Sequence, residues 1–247
     1  MKSLIRAELL KQRTTPTFLV AFAAVPVIAV LVILAVYGAA GTQGNDPLGP
    51  DSLVHAVGAP ASVITMLALL LGVVGMAGEY RHKTITTTLL AAPRRRDVVV
   101  AKIAAHALTG AAMAVVTVAV SLAVAVPWLI RAGVPLTEGG EAAGVALGLV
   151  TSTTLHAALG VAAGALLRNP PAAVGAVIAW VLKGEDLLAA LPGLTGIGEW
   201  LPAQLAEGLV RAGAGTPSPW TATAVLVAYV GALAALGTRL SVSRDVT

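Results

Sequence analysis

Long apolar runs alternate with short polar stretches along the whole chain of 247 residues. An α-helix rises about 1.5 Å per residue, so about 20 apolar residues cross a hydrocarbon core of roughly 30 Å. By this criterion the pattern predicts six transmembrane helices, at residues 18–40, 56–78, 98–130, 142–167, 172–191 and 219–240. The period-2 alternation of a membrane β-barrel is missing. The expected fold class is therefore all-α and polytopic, with one transmembrane domain over residues 1–247.

Composition supports a membrane protein over a water-soluble one. Hydrophobic residues make up 57% of the chain and charged residues 11%, whereas a soluble domain has about a quarter charged residues. Cysteine is absent, which excludes disulfides and Cys-based metal sites. No Ser/His/Asp or paired-carboxylate arrangement indicates catalysis, and we expect His106 and His156 to be hydrogen-bonded packing residues. The first apolar run is longer than the core of a signal peptide, so we expect it to be retained.

Lys and Arg are distributed unequally between the two sides of the predicted spans. If the N-terminus is cytoplasmic, 13 of the 16 basic residues lie inside and only Arg131, Lys183 and Arg211 lie outside. This bias predicts that both termini are cytoplasmic. The sequence pI of about 9.8 could also indicate nucleic-acid binding. The basic residues adjoin the spans without aromatic interleaving, however, so topology explains them better and no nucleic-acid partner is expected.

Residues 79–97 form the largest predicted cytoplasmic loop. Its first part, YRHKTITTTLLAA, is typical of a short helix that ends before Pro93. The basic cluster Arg94, Arg95 and Arg96 follows, and we expect it to lie at anionic membrane lipids, where each cation contributes about 1 kcal/mol. A simpler interpretation is an anchor that only fixes topology, but an anchor does not need the helix before Pro93.

The stretch GEYRHKTITTTLLAAPRRRDVVVAK resembles the cytoplasmic signature of bacterial ATP-binding-cassette (ABC) type-2 permeases. The opening LIRAELLKQRTTPTFLV fits as well, and Lys83 departs from the pattern because a small residue is usual there. The matching positions are Gly78, Glu79, Tyr80, Arg81, His82, Thr84, Ile85, Thr88, Leu89, Leu90, Pro93, Arg94, Arg95 and Lys102.

The resemblance implies a division of labour between two proteins. This chain would form the membrane path, commonly as two copies in the bacterial cell membrane. Two copies of a separate ATPase would bind ATP and Mg²⁺, and the loop helix would be the coupling helix seated in a groove of that ATPase. The phosphate-binding motif G-x-x-x-x-G-K-[ST] is absent from the sequence, so we expect no cofactor and no enzyme activity in this chain. The implied coupling residues are Glu79, Tyr80, Arg81, His82, Lys83, Thr84, Ile85 and Leu89.

Residues 1–17 predict a moderately amphipathic helix. Met1, Leu4, Ile5 and Leu9 share one sector, although Glu8 and Gln12 interrupt the apolar face. We favour a helix lying in the head-group plane, and the resemblance adds that it borders the ATPase. A solvated leader is the alternative.

The fifth span meets KGED after only a few turns, which places Lys183, Glu185 and Asp186 at membrane depth. We favour a break at these residues followed by re-entrant helices, because Gly184, Pro192, Gly193 and Pro202 follow closely. The resemblance implies the same arrangement and makes the three charged residues a candidate outer gate. The alternative is a helix continuing to Leu191 with its charges paired to one another.

Taken together, the resemblance implies the permease of an ABC exporter, and the nearly apolar spans suit a hydrophobic or amphipathic cargo such as a drug, antibiotic, lipid or peptide. A secondary transporter driven by an ion gradient is a second hypothesis, but it would need acidic residues at mid-membrane and inverted repeats. A non-transporting membrane scaffold or sensor is a third. The face formed by Gly160 and Gly164 suits close helix packing, either within the protomer or between two copies.

Overall fold

The computed structural model of the chain describes residues 1–42, 47–81, 95–167, 169–193, 196–211 and 217–243, with only the backbone at 80, 81, 95 and 239–243. All regular structure in these ranges is helical. The α-helices are α1 Lys2–Thr14, α2 Pro16–Ala39, α3 Ser52–Gly58, α4 Ala61–Arg81, α5 Arg95–Arg131, α6 Gly139–Leu167, α7 Pro170–Ala179, α8 Glu185–Ala189, α9 Pro202–Arg211 and α10 Pro219–Ser243. A π turn, Trp180–Gly184, joins α7 to α8, and a 3₁₀ turn, Gly198–Trp200, precedes α9.

Local chemistry sets several of these boundaries. Pro16 occupies the first turn of α2, after an extended Thr15, where its missing N–H costs nothing. The Asn169 side chain accepts a hydrogen bond from the Ala172 N–H at the start of α7, which Pro170 also favours. Pro60 follows α3 and separates it from α4.

Five helical segments in the described ranges are long and apolar enough to cross a membrane. They are Pro16–Ala39, Ser52–Glu79, Arg96–Arg131, Gly139–Leu167 and Pro219–Thr238. They correspond to the first, second, third, fourth and sixth predicted spans. The second span begins earlier than residue 56, because the short helix α3 precedes α4. The count of six spans and the location of the termini stay predictions.

The predicted fifth span lies in a helical run that is unbroken from Pro170 to Ala189. The break expected at Lys183–Asp186 is therefore wrong, because a π turn lets the helix continue through these residues. As the alternative interpretation required, Lys183 pairs with Asp186 at 3.5 Å. Re-entrant helices between residues 191 and 219 remain a prediction.

Helix α6 is the centre of the bundle and packs most closely on α4. A Cβ added at Gly160 would lie 2.0 Å from the Leu69 carbonyl oxygen, and one at Gly72 would lie 2.3 Å from the Ala157 carbonyl oxygen. Only glycine permits such backbone contact. The face of Gly160 and Gly164 thus packs within the protomer, on α4.

The two ends of the bundle differ in what they hold. At the basal end, α1 lies against the end of α4 and the first turns of α5. At the apical end, α3 packs between α5 and α6, and the Tyr37 hydroxyl donates to the Ser52 carbonyl at 3.0 Å. Helix α9 lies at this same end, with Val210 packed against Val57 and Val145.

Candidate functional site

Lys102, in the second turn of α5, is almost completely buried at 2% exposure. Its ammonium donates to Glu8 Oε2 of α1 at 2.6 Å and to Glu79 Oε1 of α4 at 2.9 Å. One side chain thus joins the consecutive helices α4 and α5 to α1, which is distant in sequence.

Lys11 joins the same two carboxylates from the solvent side. Its ammonium lies 2.7 Å from Glu8 Oε1 and 2.9 Å from Glu79 Oε1, and its side chain is 46% exposed. We call Glu8, Lys11, Glu79 and Lys102 the basal ion-pair cluster. Two anions face two cations, so the cluster is neutral as a whole.

The electrostatics of the cluster favour its charged form. Burial opposes ionisation of Glu8, but the Lys102 and Lys11 ammonium groups outweigh it and lower the pKa of Glu8 below its ordinary 4.5. Burial also works against the charge of Lys11, whereas hydrogen bonds to Glu8 and Glu79 raise its pKa above the ordinary 10.5. Buried charges are costly unless paired in this way.

A neutral hydrogen-bonded chain continues the cluster along α5. Gln12 Nε2 lies 3.1 Å from His106 Nδ1, and the Thr109 hydroxyl donates to Gln12 Oε1. His106 Nδ1 also lies 2.9 Å from the Lys102 carbonyl oxygen. The Phe18 ring packs edge-on against His106 with ring centroids 5.5 Å apart. His106 is therefore a buried packing residue, as predicted.

The inward stripe of α1 is polar at its centre. Glu8 and Gln12 are its buried residues, while Leu4, Ile5 and Leu9 are half-buried and Met1 is 55% exposed. The sequence interpretation treated Glu8 and Gln12 as interruptions of an apolar face. Their spacing of four residues, which puts both on one side of the helix, was the available signal.

The structure describes only some of the predicted coupling residues. Glu79 is buried in the cluster, and its Oε2 has no hydrogen-bond partner among the described residues. The α4 backbone continues through Tyr80 and Arg81. His82, Lys83, Thr84, Ile85, Leu89 and Arg94 lie outside the described residues. Arg95 begins α5 and Arg96 is exposed, so the coupling and lipid-binding roles of these residues stay predictions.

A cavity of about 1210 Å³ opens beside α6, between α4, α7, α9 and α10. It extends along α6 from Val145 to Leu167, and its lining is mostly apolar. The buried polar side chains on its wall are Thr65, Ser152, His156 and Glu185. His156 Nδ1 lies 2.9 Å from the Ser152 carbonyl oxygen, which confirms a hydrogen-bonded packing role.

The three residues of the candidate outer gate occupy different environments. Glu185 is 2% exposed and accepts from the Ala203 N–H of α9, with Oε1 at 3.1 Å and Oε2 at 3.0 Å. The side chains of Lys183 and Asp186 are 78% and 63% exposed and pair with each other. Within the described ranges, Glu185 is the one of the three whose side chain bonds to another helix.

No group of three or more His, Cys, Asp or Glu side chains in the described part of the chain could hold a metal ion. The charged side chains at the basal end form ion pairs between helices. The cavity offers a mostly apolar lining with a few hydrogen-bonding groups.

Comparison with known proteins identifies the family of this chain. A family described as ABC-2 family transporter protein matches residues 4–170. The match includes most of α1, the basal ion-pair cluster, all of α6 and residues 82–94 between α4 and α5. No curated protein matches the sequence.

Proposed function

Because the chain belongs to the ABC-2 family of transporter proteins, we propose that it is the permease subunit of an ABC exporter. Family membership and five long apolar helices make the chain a multi-pass membrane protein. In this proposal two copies form the path in the bacterial cell membrane. Two copies of a partner ATPase bind ATP and Mg²⁺ and supply the work.

The observation that carries the coupling proposal is the position of the basal ion-pair cluster. Glu79 lies at the end of α4 and Lys102 near the start of α5, so the cluster lies where residues 82–94 leave α4 and enter α5. Glu8 ties α1 to the same point. A displacement of the loop by an ATPase therefore acts on α1, α4 and α5 together.

The cavity supports a hydrophobic or amphipathic cargo. Its wall is mostly apolar along α6, and its few buried polar groups can orient a cargo. We propose the basal end as the cytoplasmic end, since most Lys and Arg residues lie there in the predicted topology.

Co-expression of this chain with an ABC ATPase from the same genome tests the proposal. The ATPase should co-purify with the parent chain and be lost with Arg81→Glu, because that change reverses a charge in the coupling loop. Arg131→Glu is the matched control, since Arg131 ends α5 at the opposite end and is exposed.

Two results would contradict the proposal. One is ATP hydrolysis by the purified chain alone. The other is labelling of an Arg94→Cys variant by a membrane-impermeant maleimide added outside the cell, since the proposal requires Arg94 inside.

A further inference from the structure

The 3₁₀ turn Gly198–Trp200 and helix α9 form what we call the apical cover. Leu201, Pro202, Ala203 and Ala206 of this segment line the cavity, so the cover is part of its wall at the apical end. The contacts that hold the apical cover in place therefore also control how solutes reach the cavity from the apical end.

The C-terminal half of α9 is fixed by close packing. A Cβ at Gly148 would lie 1.8 Å from the Leu209 carbonyl oxygen, so α6 and α9 touch backbone to backbone there. Leu209 also packs in one cluster with Ala222 and Leu226 of α10, and Leu205, one turn earlier, belongs to the same cluster. This half cannot shift without losing apolar contacts.

Ahead of Leu205, the N-terminal end of α9 is held by polar contacts. Both oxygens of the buried Glu185 carboxylate accept from the Ala203 N–H, and the Gln204 backbone interacts with the same carboxylate. Free N–H groups and the positive end of the helix dipole make this a favourable position for an anion. The Pro202 backbone interacts in addition with His156 of α6.

The π turn provides the geometry for this contact. Glu185 directly follows Trp180–Gly184, and the Trp180 side chain interacts with the carboxylate. A Cβ at Gly184 would lie 2.8 Å from Trp180 Cε3, so a glycine lets the ring pack against the turn. The carboxylate is thus supported from its own helix as well as from α9.

We propose that Glu185 is a positioning residue that holds the N-terminal end of α9 over the cavity and so closes the cavity on the apical side. Separation of the carboxylate from α9 opens that side, with the packed C-terminal half as the fixed end. The claim that cargo leaves by this opening rests on the proposed export function. The role of Glu185 in closing the cavity does not.

The absence of native cysteine permits a direct test. Ser152 lines the cavity and is fully buried, and its hydroxyl has no partner among the described residues. A Ser152→Cys variant therefore reports access to the cavity with little change in volume. Reconstituted full-length protein is treated with a membrane-impermeant maleimide from the apical side, and the labelling rate of the introduced thiol is measured.

With Glu185→Ala, labelling should become about tenfold faster or more, because loss of a charge-assisted hydrogen bond increases the population of local openings. With Glu185→Gln, which retains an acceptor oxygen, the rate should stay near that of the parent. Asp186→Ala is the matched control, since this neighbouring carboxylate is exposed. An unchanged rate with Glu185→Ala, or an equal rise with Glu185→Gln or Asp186→Ala, overturns the proposal.

A second arm separates opening of the cover from general misfolding. Ala189 Cβ lies 3.1 Å from the position of a Cβ on Gly198, close enough for a disulfide between Ala189→Cys and Gly198→Cys. In the Glu185→Ala background, forming this disulfide should restore slow labelling of the cavity thiol, and a reductant should reverse the effect. Labelling that stays fast with the disulfide formed contradicts a movable cover. Neither arm needs an ATPase, so its result is independent of the co-purification test.

Discussion

Two helix interfaces of this molecule are built by opposite means. The crossing of α4 and α6 depends on glycine, and Gly72 and Gly160 bring the two backbones into direct contact. The seat of α1 on α4 and α5 depends instead on four long charged side chains and a glutamine. Backbone contact tolerates little displacement because no flexible atoms lie between the helices. Charged side chains can follow a small displacement by changing rotamer while they stay paired.

The difference in how much displacement each interface tolerates matches its position in the molecule. The α4–α6 crossing is at the centre of the bundle, where a rigid pair can move as one body. The basal ion-pair cluster lies beside the loop that we propose receives work from the ATPase. A contact that adjusts without separating suits that position.

The largest effect should come from Lys102→Met, because it leaves the buried Glu8 and Glu79 carboxylates without their shared cation. Removing one partner of a buried ion pair costs about 3–5 kcal/mol. We expect a loss of this size in the free energy of unfolding in mixed detergent micelles. Lys11→Met should cost less than about 1 kcal/mol, since Lys11 is half exposed. Adding Glu8→Gln and Glu79→Gln to Lys102→Met should recover part of the loss, and equal losses for the two lysine variants would contradict this account.

A smaller loss is expected at the backbone crossing. Gly160→Ala places a methyl group 2.0 Å from the Leu69 carbonyl oxygen, and overpacking of this kind costs about 1–3 kcal/mol. Gly175→Ala is the control, because a Cβ there has no atom within 4 Å. It should be neutral or stabilise α7 by up to about 1 kcal/mol. The same unfolding measurement compares the two, and a Gly160→Ala protein as stable as the control would remove the distinction between the interfaces.

Gln12→Ala tests the neutral part of the α1 seat. It removes the side chain that bonds Thr109 and His106, which keep backbone acceptors of their own helix, and a lost hydrogen bond costs about 0.5–1.5 kcal/mol. We expect faster proteolysis within α1 while the remaining helices keep their protection. Arg13→Ala, at an exposed neighbouring position, should not change the rate. Equal cleavage of both variants would show that Gln12 does not secure α1.

The smallest expected effect is that of pH near neutrality on the attachment of α1 to the bundle. The lowered pKa of Glu8 means that its contribution is present above 4.5 and is lost as pH falls through the lower folded value. The raised pKa of Lys11 means that its contribution is present below 10.5 and is lost as pH rises through the higher folded value. Hydrogen exchange of α1 should therefore show constant protection between these limits, and a loss of protection near neutral pH would contradict the cluster.

The sequence allows the helices to be predicted because apolar runs report burial in lipid directly. It did not reveal the separation of α3 from α4, although Pro60 was the local signal for it. The basal ion-pair cluster could not be predicted either. Glu8 and Lys102 are 94 residues apart, and nothing local in the sequence indicates which acid a buried lysine pairs with. The helical continuation past Lys183 was the less favoured of two interpretations, because nothing local in the sequence indicates that the Glu185 carboxylate has a partner on α9.

The π turn Trp180–Gly184 has a consequence for how this family member can vary. A π turn accommodates one residue more than an α-helix over the same height. If the same residues formed a regular α-helix, everything after them would be rotated by about 100°. Glu185 would then face away from α9. Deleting one residue together with the π turn would leave that orientation nearly unchanged, so this segment tolerates the loss of one residue more readily than a regular helix does.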